Sequence, residues 1–267
     1  DKSYPNELSS GIVFSVLPLW ISILSNYKKD LEPELFGAIE KGFDRAVSYV
    51  LRNKENYAVI SNHLAHYAYV LFLIDKIWSN PACKNLGQLY IKTILKHQSS
   101  DGWYLEYEGP DMGYQTRTLS YIARILAIFP DEELKRSSLR SLQFISAFAY
   151  PDGSFGGEIG SRNTSIIYPY GFAWFAKYDS TASALLNFSV QSMNRGQGVQ
   201  LHQTDLDNFI RLFDDHIETQ QLLQNYTLME PTQLPMEKKE LRIYFKDAGI
   251  TVHRKSWYYA VVNFKKG

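Results

Sequence analysis

Apolar residues recur along this chain at intervals of three and four, which is the spacing of one face of an α-helix. The spacing is clear in five segments, 35–51, 64–74, 119–126, 139–148 and 206–222. The connections between these segments contain prolines and Asp-Gly pairs, which are typical of turns. The pattern predicts that residues 9 to about 228 are mostly helical.

Two of the connections resemble each other at a separation of about 50 residues. Asp101-Gly102 and Asp152-Gly153 each follow a predicted helix, and a glutamate follows each of them. A period of this length is typical of a repeated helical hairpin with its loops. Repeated hairpins favour an α/α toroid or solenoid, whose loops gather at one end of a cleft.

The pattern changes to strands near the end of the chain. Alternating residues predict strands at 241–245, 249–254 and 257–264, with Lys255-Ser256 as the tight turn between the last two. Because two or three strands are seldom stable alone, we expect these to begin a larger β-sandwich-like domain. The predicted fold is mainly α, an incomplete (α/α) toroid followed by the first strands of that domain. The predicted divisions are a toroid domain at 1–229, a linker at 230–240 and a β-sheet domain at 241–267.

Composition narrows the classes of function. The chain of 267 residues has 28 basic and 28 acidic residues, so its net charge of +0 argues against a general nucleic-acid binder. The apolar run at 11–24 is too short to span a bilayer. The only cysteine, Cys83, forms neither an internal disulfide nor a thiolate metal cluster, so compartment and oligomeric state stay open. Aromatic residues make up 15% of the chain, enough to supply both a core and surfaces that stack on sugar rings.

The first polar cluster lies at the start of the second predicted helix. Asn62 and His63 interrupt an apolar segment, and His66 lies three positions further on, on the same helical face. Polar groups in a buried helix need partners or have a function. Two histidines alone make a poor metal site, and we predict no metal or other cofactor.

The second cluster lies in and after the first Asp-Gly loop. Trp103 and Glu106 precede Tyr114, which begins a helix, and Arg117 follows one turn later. Tyr114 is a candidate proton donor or acceptor, and a nearby guanidinium would favour its ionised form. The simpler interpretation is that Tyr114 packs and that Arg117 neutralises the acidic loop.

The third cluster follows the second Asp-Gly loop. Arg162 and Asn163 lie in a Gly/Ser-rich loop that leads to Tyr168. An arginine and an asparagine suit the carboxylate and hydroxyls of a sugar. The alternative is that the polar side chains of this loop cap the next helix.

Taken together, the clusters resemble the heparinase II/III-like polysaccharide lyases and the related α/α-toroid alginate lyases. Asn62-His63 resembles the Asn-His site of that family. The segment 101–114 resembles the loop that delivers the catalytic tyrosine, and 245–262 resembles the opening of the C-terminal β-sandwich. Two positions depart from the pattern, since Gln115 occupies the place of a histidine found in many relatives and His253 does not match the histidine of the β-domain.

The resemblance implies cleavage of an acidic polysaccharide by β-elimination next to a uronate. Tyr114 would act as acid or as both acid and base, with Asn62 and His63 neutralising the carboxylate or His63 serving as base. The substrate-binding residues implied are Arg117, Arg162, Asn163, His66, Trp103, Glu106 and Tyr168.

Two other functions stay open. An inverting glycoside hydrolase on the same toroid would use two carboxylates, for which Glu106, Asp111 and Glu158 are available. A carbohydrate-binding protein without catalysis would use the same aromatic and polar residues to hold a sugar. The products separate these functions, because a lyase leaves an unsaturated sugar and a hydrolase adds water.

Overall fold

The computed structural model describes residues 10–54 and 58–265 and divides into two compact units, Asp1–Lys96 and His97–Gly267. The predicted class is confirmed, because the described chain is mainly helical and ends in a three-stranded antiparallel sheet. The predicted domain bounds stay predictions, and the residues at both ends of the chain lie outside the described ones. No described helix is both long and apolar enough to cross a membrane.

Over its described residues, 10–54 and 58–96, the first unit contains four α-helices. A π-helical turn at Ile12–Val16 continues into α1, and the helices are α1 Leu17–Asn26, α2 Pro33–Arg52, α3 Ser61–Trp78 and α4 Pro81–Lys96. The hairpin of α3 and α4 has a two-residue connection. Ser79 takes a left-handed conformation that ends α3, and the Asn80 side chain accepts the backbone N–H of Cys83 at 3.1 Å in the first turn of α4.

The second unit, described as far as residue 265, contains five α-helices and the sheet. The helices are α5 Met112–Ile128, α6 Glu132–Ser146, α7 Tyr170–Phe175, α8 Ser180–Asn194 and α9 Leu206–Leu223. Four of them begin in the same way, with an aspartate side chain that accepts the backbone N–H three residues later. These N-caps are Asp111, Asp131, Asp179 and Asp205. Such caps explain where the helices begin, since they satisfy an N–H that the helix itself leaves unpaired.

The two Asp-Gly connections share one backbone geometry, as their sequence similarity predicts. Gly102 donates its N–H to Ser99 at 3.0 Å, and Gly153 donates its N–H to Tyr150 at 3.0 Å. Ser99 and Tyr150 in turn donate their own N–H groups, to the carbonyls of Trp103 at 2.9 Å and Ser154 at 3.0 Å. Both glycines have positive φ angles, 101° and 88°. The repeat seen in the sequence is therefore a repeat of structure at these turns.

Helix α9 is present as predicted, but its apolar stripe does not face the core. Leu206, Ile210 and Phe213 are exposed, whereas Asp215 is only 2% exposed. Asp215 accepts hydrogen bonds from Arg124 of α5 at 3.1 Å and from the backbone N–H of Tyr170, at the start of α7, at 2.8 Å. A buried charge network thus connects α9 to α5 and α7, and Leu212 and Leu222 are the buried apolar residues of this helix among those described.

The sheet consists of β1 Leu241–Phe245, β2 Ile250–Lys255 and β3 Tyr258–Asn263, in that order. The predicted turn is wrong by one residue, because Lys255 pairs with Tyr258 and leaves Ser256-Trp257 as the two-residue loop. Aromatic residues favour strands, so the pattern predicts Trp257 in a strand. Trp257 instead lies in the loop between β2 and β3 and is 81% exposed.

The sheet is attached to the helices of its own unit by packing and by hydrogen bonds. The ring of Phe245 packs against Phe144 of α6, with centroids 4.7 Å apart. Asp101 accepts the backbone N–H of Asp247 at 2.7 Å, and the Asp247 carboxylate accepts the hydroxyl of Ser100 at 2.7 Å. The first Asp-Gly turn and the β1–β2 turn therefore hold each other in place.

The two equivalent glycines provide a matched test of the turn geometry. A β-carbon on Gly102 would lie 2.5 Å from the backbone oxygen of Arg140, whereas one on Gly153 would lie 2.2 Å from the flexible side chain of Gln197. We expect Gly153→Ala to lower the free energy of unfolding by about 1 kcal/mol and Gly102→Ala by about 3 kcal/mol. Urea unfolding measures both, and equal losses would rule out the backbone clash as the cause.

Candidate functional site

A buried carboxylate forms the centre of the polar residues in the second unit. Asp111 is fully buried; one of its oxygens accepts the backbone N–H of Tyr114 at 3.1 Å. The other accepts the backbone N–H groups of Arg162 at 2.9 Å and Thr164 at 3.2 Å. Asp111 therefore joins the first turn of α5 to the loop at 160–164, and it brings the second and third predicted clusters together.

Further bonds connect the same loop to the turn that precedes α5. The Ser161 hydroxyl donates to the carbonyl of Glu106 at 2.7 Å, and its N–H donates to the carbonyl of Pro110 at 2.8 Å. Gly160 lies so close that an added β-carbon would be 2.7 Å from an oxygen of Asp111. The two loops are thus packed backbone against backbone, which fixes the point from which the Arg162 side chain extends.

Arg117 lies one turn after Tyr114 and is only 5% exposed. Its guanidinium carbon is 5.8 Å from the centroid of the Tyr168 ring. Burial lowers the pKa of Arg117, but the phenols of Tyr121, Tyr168 and Tyr114 act in the opposite direction, and the pKa is raised overall. A buried guanidinium surrounded by phenols thus remains charged.

The tyrosines around Arg117 differ in their surroundings. Burial raises the pKa of Tyr168 to about 12, although Arg117 opposes this effect. Tyr168 therefore keeps its proton near neutral pH, and it donates to the side-chain oxygen of Asn208 at 3.1 Å. Tyr114, in contrast, is half-buried at the end of the helix. Of these two, Tyr114 is the phenol better placed to meet a molecule from outside.

Arg162 and Asn163 are both exposed, and Asn163 has a φ of 58°. The guanidinium carbon of Arg162 lies 4.5 Å from the centroid of the Tyr107 ring. This stacking leaves the edges of the guanidinium for hydrogen bonds in its own plane, the arrangement that suits a carboxylate.

Other predicted binding residues are buried and have structural contacts. Glu106 is fully buried, and its carboxylate accepts the hydroxyl of Thr118 at 3.1 Å. Trp103 is 9% exposed, and its indole N–H meets no acceptor among the described residues. A buried donor of this kind needs an acceptor from elsewhere. For Glu106 and Trp103 a role in binding stays a prediction.

Gln115, which stands where many lyases of the resembled family have a histidine, is a structural residue. Its side-chain oxygen accepts the N–H of Tyr104 at 2.8 Å, and its side-chain nitrogen donates to the carbonyl of Tyr104 at 2.7 Å. The amide therefore takes the place of a neighbouring strand and holds the segment before Glu106 against α5. The two ring nitrogens of a histidine point away from each other, so a histidine could not bond both the N–H and the carbonyl of Tyr104.

In the first unit, Asn62 and His63 lie in the first turn of α3, as predicted. Asn62 is 1% exposed, whereas His63 is half-buried. The ring of Phe14 stacks on His66 with centroids 4.5 Å apart and meets His63 edge-on at 5.0 Å. The shared contact confirms that the two histidines lie on one face of α3. Among the described residues, no three side chains of the metal-binding types are grouped to hold an ion.

Sequence reasoning missed two residues that shape the site in the second unit. Asp111 was considered only as a possible acid or a partner of Arg117, although an aspartate before an apolar helix is a readable capping signal. Its bonds to residues 162–164 have no signal in the sequence. Nor does the sequence single out Tyr107, because the turn before Gly109 contains no residue that is typical of a positive φ.

No protein-family model matches the chain, and no curated protein matches it. A solved structure of a polysaccharide lyase is similar to it over 82% of the chain, with 12% sequence identity and a TM-score of 0.43. The chain covers 66% of the length of that protein.

The two capping aspartates Asp111 and Asp131 allow the junction to be tested. Asp131 accepts one backbone N–H, from Leu134, whereas Asp111 accepts three. We expect Asp131→Ala to lower the free energy of unfolding by about 1 kcal/mol and Asp111→Ala by about 3 kcal/mol, because two more buried donors lose their acceptor. Urea titrations of both variants measure this, and similar losses would contradict the assigned junction.

Proposed function

We propose that this chain binds an acidic polysaccharide and cleaves it next to a uronate by β-elimination, as a polysaccharide lyase. The observation that carries this proposal is that Asp111 joins the start of α5, where Tyr114 and Arg117 lie, to the loop that carries Arg162. This junction combines a half-buried phenol, a buried cation beside it and an exposed guanidinium on a fixed loop. These are the groups that the reaction requires.

In the reaction, a base removes the proton at C5, which lies next to the carboxylate. The electron pair of that bond forms the C4–C5 double bond, the C4–O bond breaks, and the departing oxygen receives a proton. Negative charge builds on the carboxylate as the C5 proton leaves, so positive charge and hydrogen-bond donors lower the barrier. Arg162 suits this role, because its stacked guanidinium presents paired N–H groups.

We assign the proton transfer to Tyr114. An ordinary tyrosine has a pKa of about 10, so a neutral phenol is a ready proton donor for the leaving oxygen. A phenol that also removes the C5 proton must first give up its own proton. Arg117 lies one turn after Tyr114, and the phenol contributes to the raised pKa of the Arg117 guanidinium.

The resemblance gives further roles to Asn62 and His63 of the first unit, and these roles stay predictions. The amide of Asn62 would donate a hydrogen bond to the uronate carboxylate. His63 would either assist that neutralisation or take the C5 proton, since an ordinary histidine has a pKa of about 6.5. His63 is half-buried and can therefore meet a ligand, whereas Asn62 is only 1% exposed, so contact of Asn62 with a carboxylate stays a prediction.

The Tyr114 assignment predicts that Tyr114→Phe loses at least about 100-fold in kcat while the protein stays folded, because the phenol proton is gone. The measurement is the ultraviolet absorbance of the unsaturated product from alginate, pectate and chondroitin. Tyr178→Phe, which removes an exposed phenol of the same unit, is the matched control. A Tyr114→Phe variant that forms product at the wild-type rate would disprove the assignment.

The two roles of His63 predict different kinetics for His63→Ala. If His63 is the base, kcat falls about 100-fold and the rate no longer rises through the pH range in which a histidine loses its proton. If it only helps to neutralise the carboxylate, KM rises and the pH profile keeps its shape. His202→Ala, at an exposed histidine, is the control. Unchanged kcat, KM and pH profile in His63→Ala would exclude both roles.

A further inference from the structure

Tyr107 holds a backbone conformation that its side chain disfavours. It is the first residue of a two-residue turn, in which Glu106 donates its N–H to Gly109 at 2.9 Å and Gly109 donates back at 3.4 Å. Its φ is 62°, in the left-handed region. Glycine or asparagine is usual there, and a bulky side chain raises the energy of the fold. Strain of this kind persists where the surrounding structure enforces it and often accompanies function.

The Tyr107 ring contacts the guanidinium of Arg162, whose carbon lies 4.5 Å from the ring centroid. A guanidinium stacked on an aromatic face loses rotational freedom, and its N–H groups remain available at the edge. The N–H groups at this edge are therefore already oriented before an anion binds to them.

The backbones on both sides of this pair are fixed independently of the ring. The Ser161 hydroxyl donates to the carbonyl of Glu106, the residue before Tyr107, at 2.7 Å. The N–H of Arg162 itself donates to Asp111 at 2.9 Å. Because the chain is already held at both points, the contact of the Tyr107 ring with Arg162 is not needed to join the loops. This contact acts instead on the long side chain of Arg162.

We propose that Tyr107 is a positioning residue that orients Arg162 to bind the carboxylate of an anionic sugar. The strained φ at Tyr107 is tolerated because it places the ring under the guanidinium. This inference rests on the proposed function for its ligand class, and it adds the residue that determines affinity for the charged group.

The test compares three substitutions at Tyr107, with binding to alginate, pectate and chondroitin measured by calorimetry and with neutral dextran as the control. Tyr107→Phe keeps the ring and should bind as the wild type does. Tyr107→Gly and Tyr107→Ala both lose the ring and should bind about fivefold more weakly. Tyr107→Gly should nevertheless have the higher Tm of these two, because glycine accepts a positive φ without strain. If affinity instead rose and fell with Tm across the three variants, Tyr107 would have a merely structural role and the proposal would be overturned.

A double substitution isolates the pair. Arg162→Ala should weaken binding more than Tyr107→Gly does, and adding Tyr107→Gly to Arg162→Ala should cause no further loss. Additive losses would overturn the proposal.

If the wild type binds a polyuronate but forms no unsaturated product, the lyase function is wrong and the positioning role still stands on the binding data. If product forms but Tyr107→Gly binds as the wild type does, only the positioning role is wrong. Binding to none of the three polymers would overturn both.

Discussion

The carboxylate of Asp111 is the contact on which the candidate site of the second unit depends. Its two oxygens accept three backbone N–H groups, one at the start of α5 and two in the loop at 160–164. The loops that bring Tyr114 and Arg162 together are also joined by backbone bonds from Ser161 to Pro110 and from Gly113 to Thr164, and this buried acceptor adds the bonds from Arg162 and Thr164. Such a junction fixes directions as well as positions, because each N–H must point at the carboxylate.

The sequence predicted the elements well where one local rule decided them. The periodicity of 35–51 and 64–74 predicted α2 and α3, and the two Asp-Gly turns repeat in structure as they do in sequence. Local rules failed where distant groups decide. In α9 the apolar stripe indicated a core face, yet Asp215 turns inward because Arg124 and the start of α7 supply its partners. Nothing near Asp215 in the sequence reveals those partners, since they lie on other helices.

The same limit applies to the candidate site. The sequence suggested Tyr114, Arg117 and Arg162 separately, but it could not show that Asp111 connects their segments. Nor could it show which acidic residues are already engaged. Glu106 and Asp111 are fully buried and accept hydrogen bonds, whereas Glu158 is exposed. A hydrolase needs two carboxylates facing one bond from opposite sides. Of the three acidic residues considered for that role, two are fully buried, which supports the proposed reaction with a phenol and cations instead.

The strained turn at Tyr107 can persist because other contacts stabilise the second unit. Capping bonds, the bonds of Asp247 to the first Asp-Gly loop and the buried pair of Arg124 with Asp215 all stabilise the unit away from the exposed guanidinium. The turn at Tyr107 is closed by its own backbone bonds and held from outside by Ser161. A conformation costing on the order of 1–3 kcal/mol is then a modest part of the stability of such a domain. Because the strained residue lies beside the exposed arginine rather than in the core, its unfavourable backbone can be kept for the sake of a contact that the fold itself does not need.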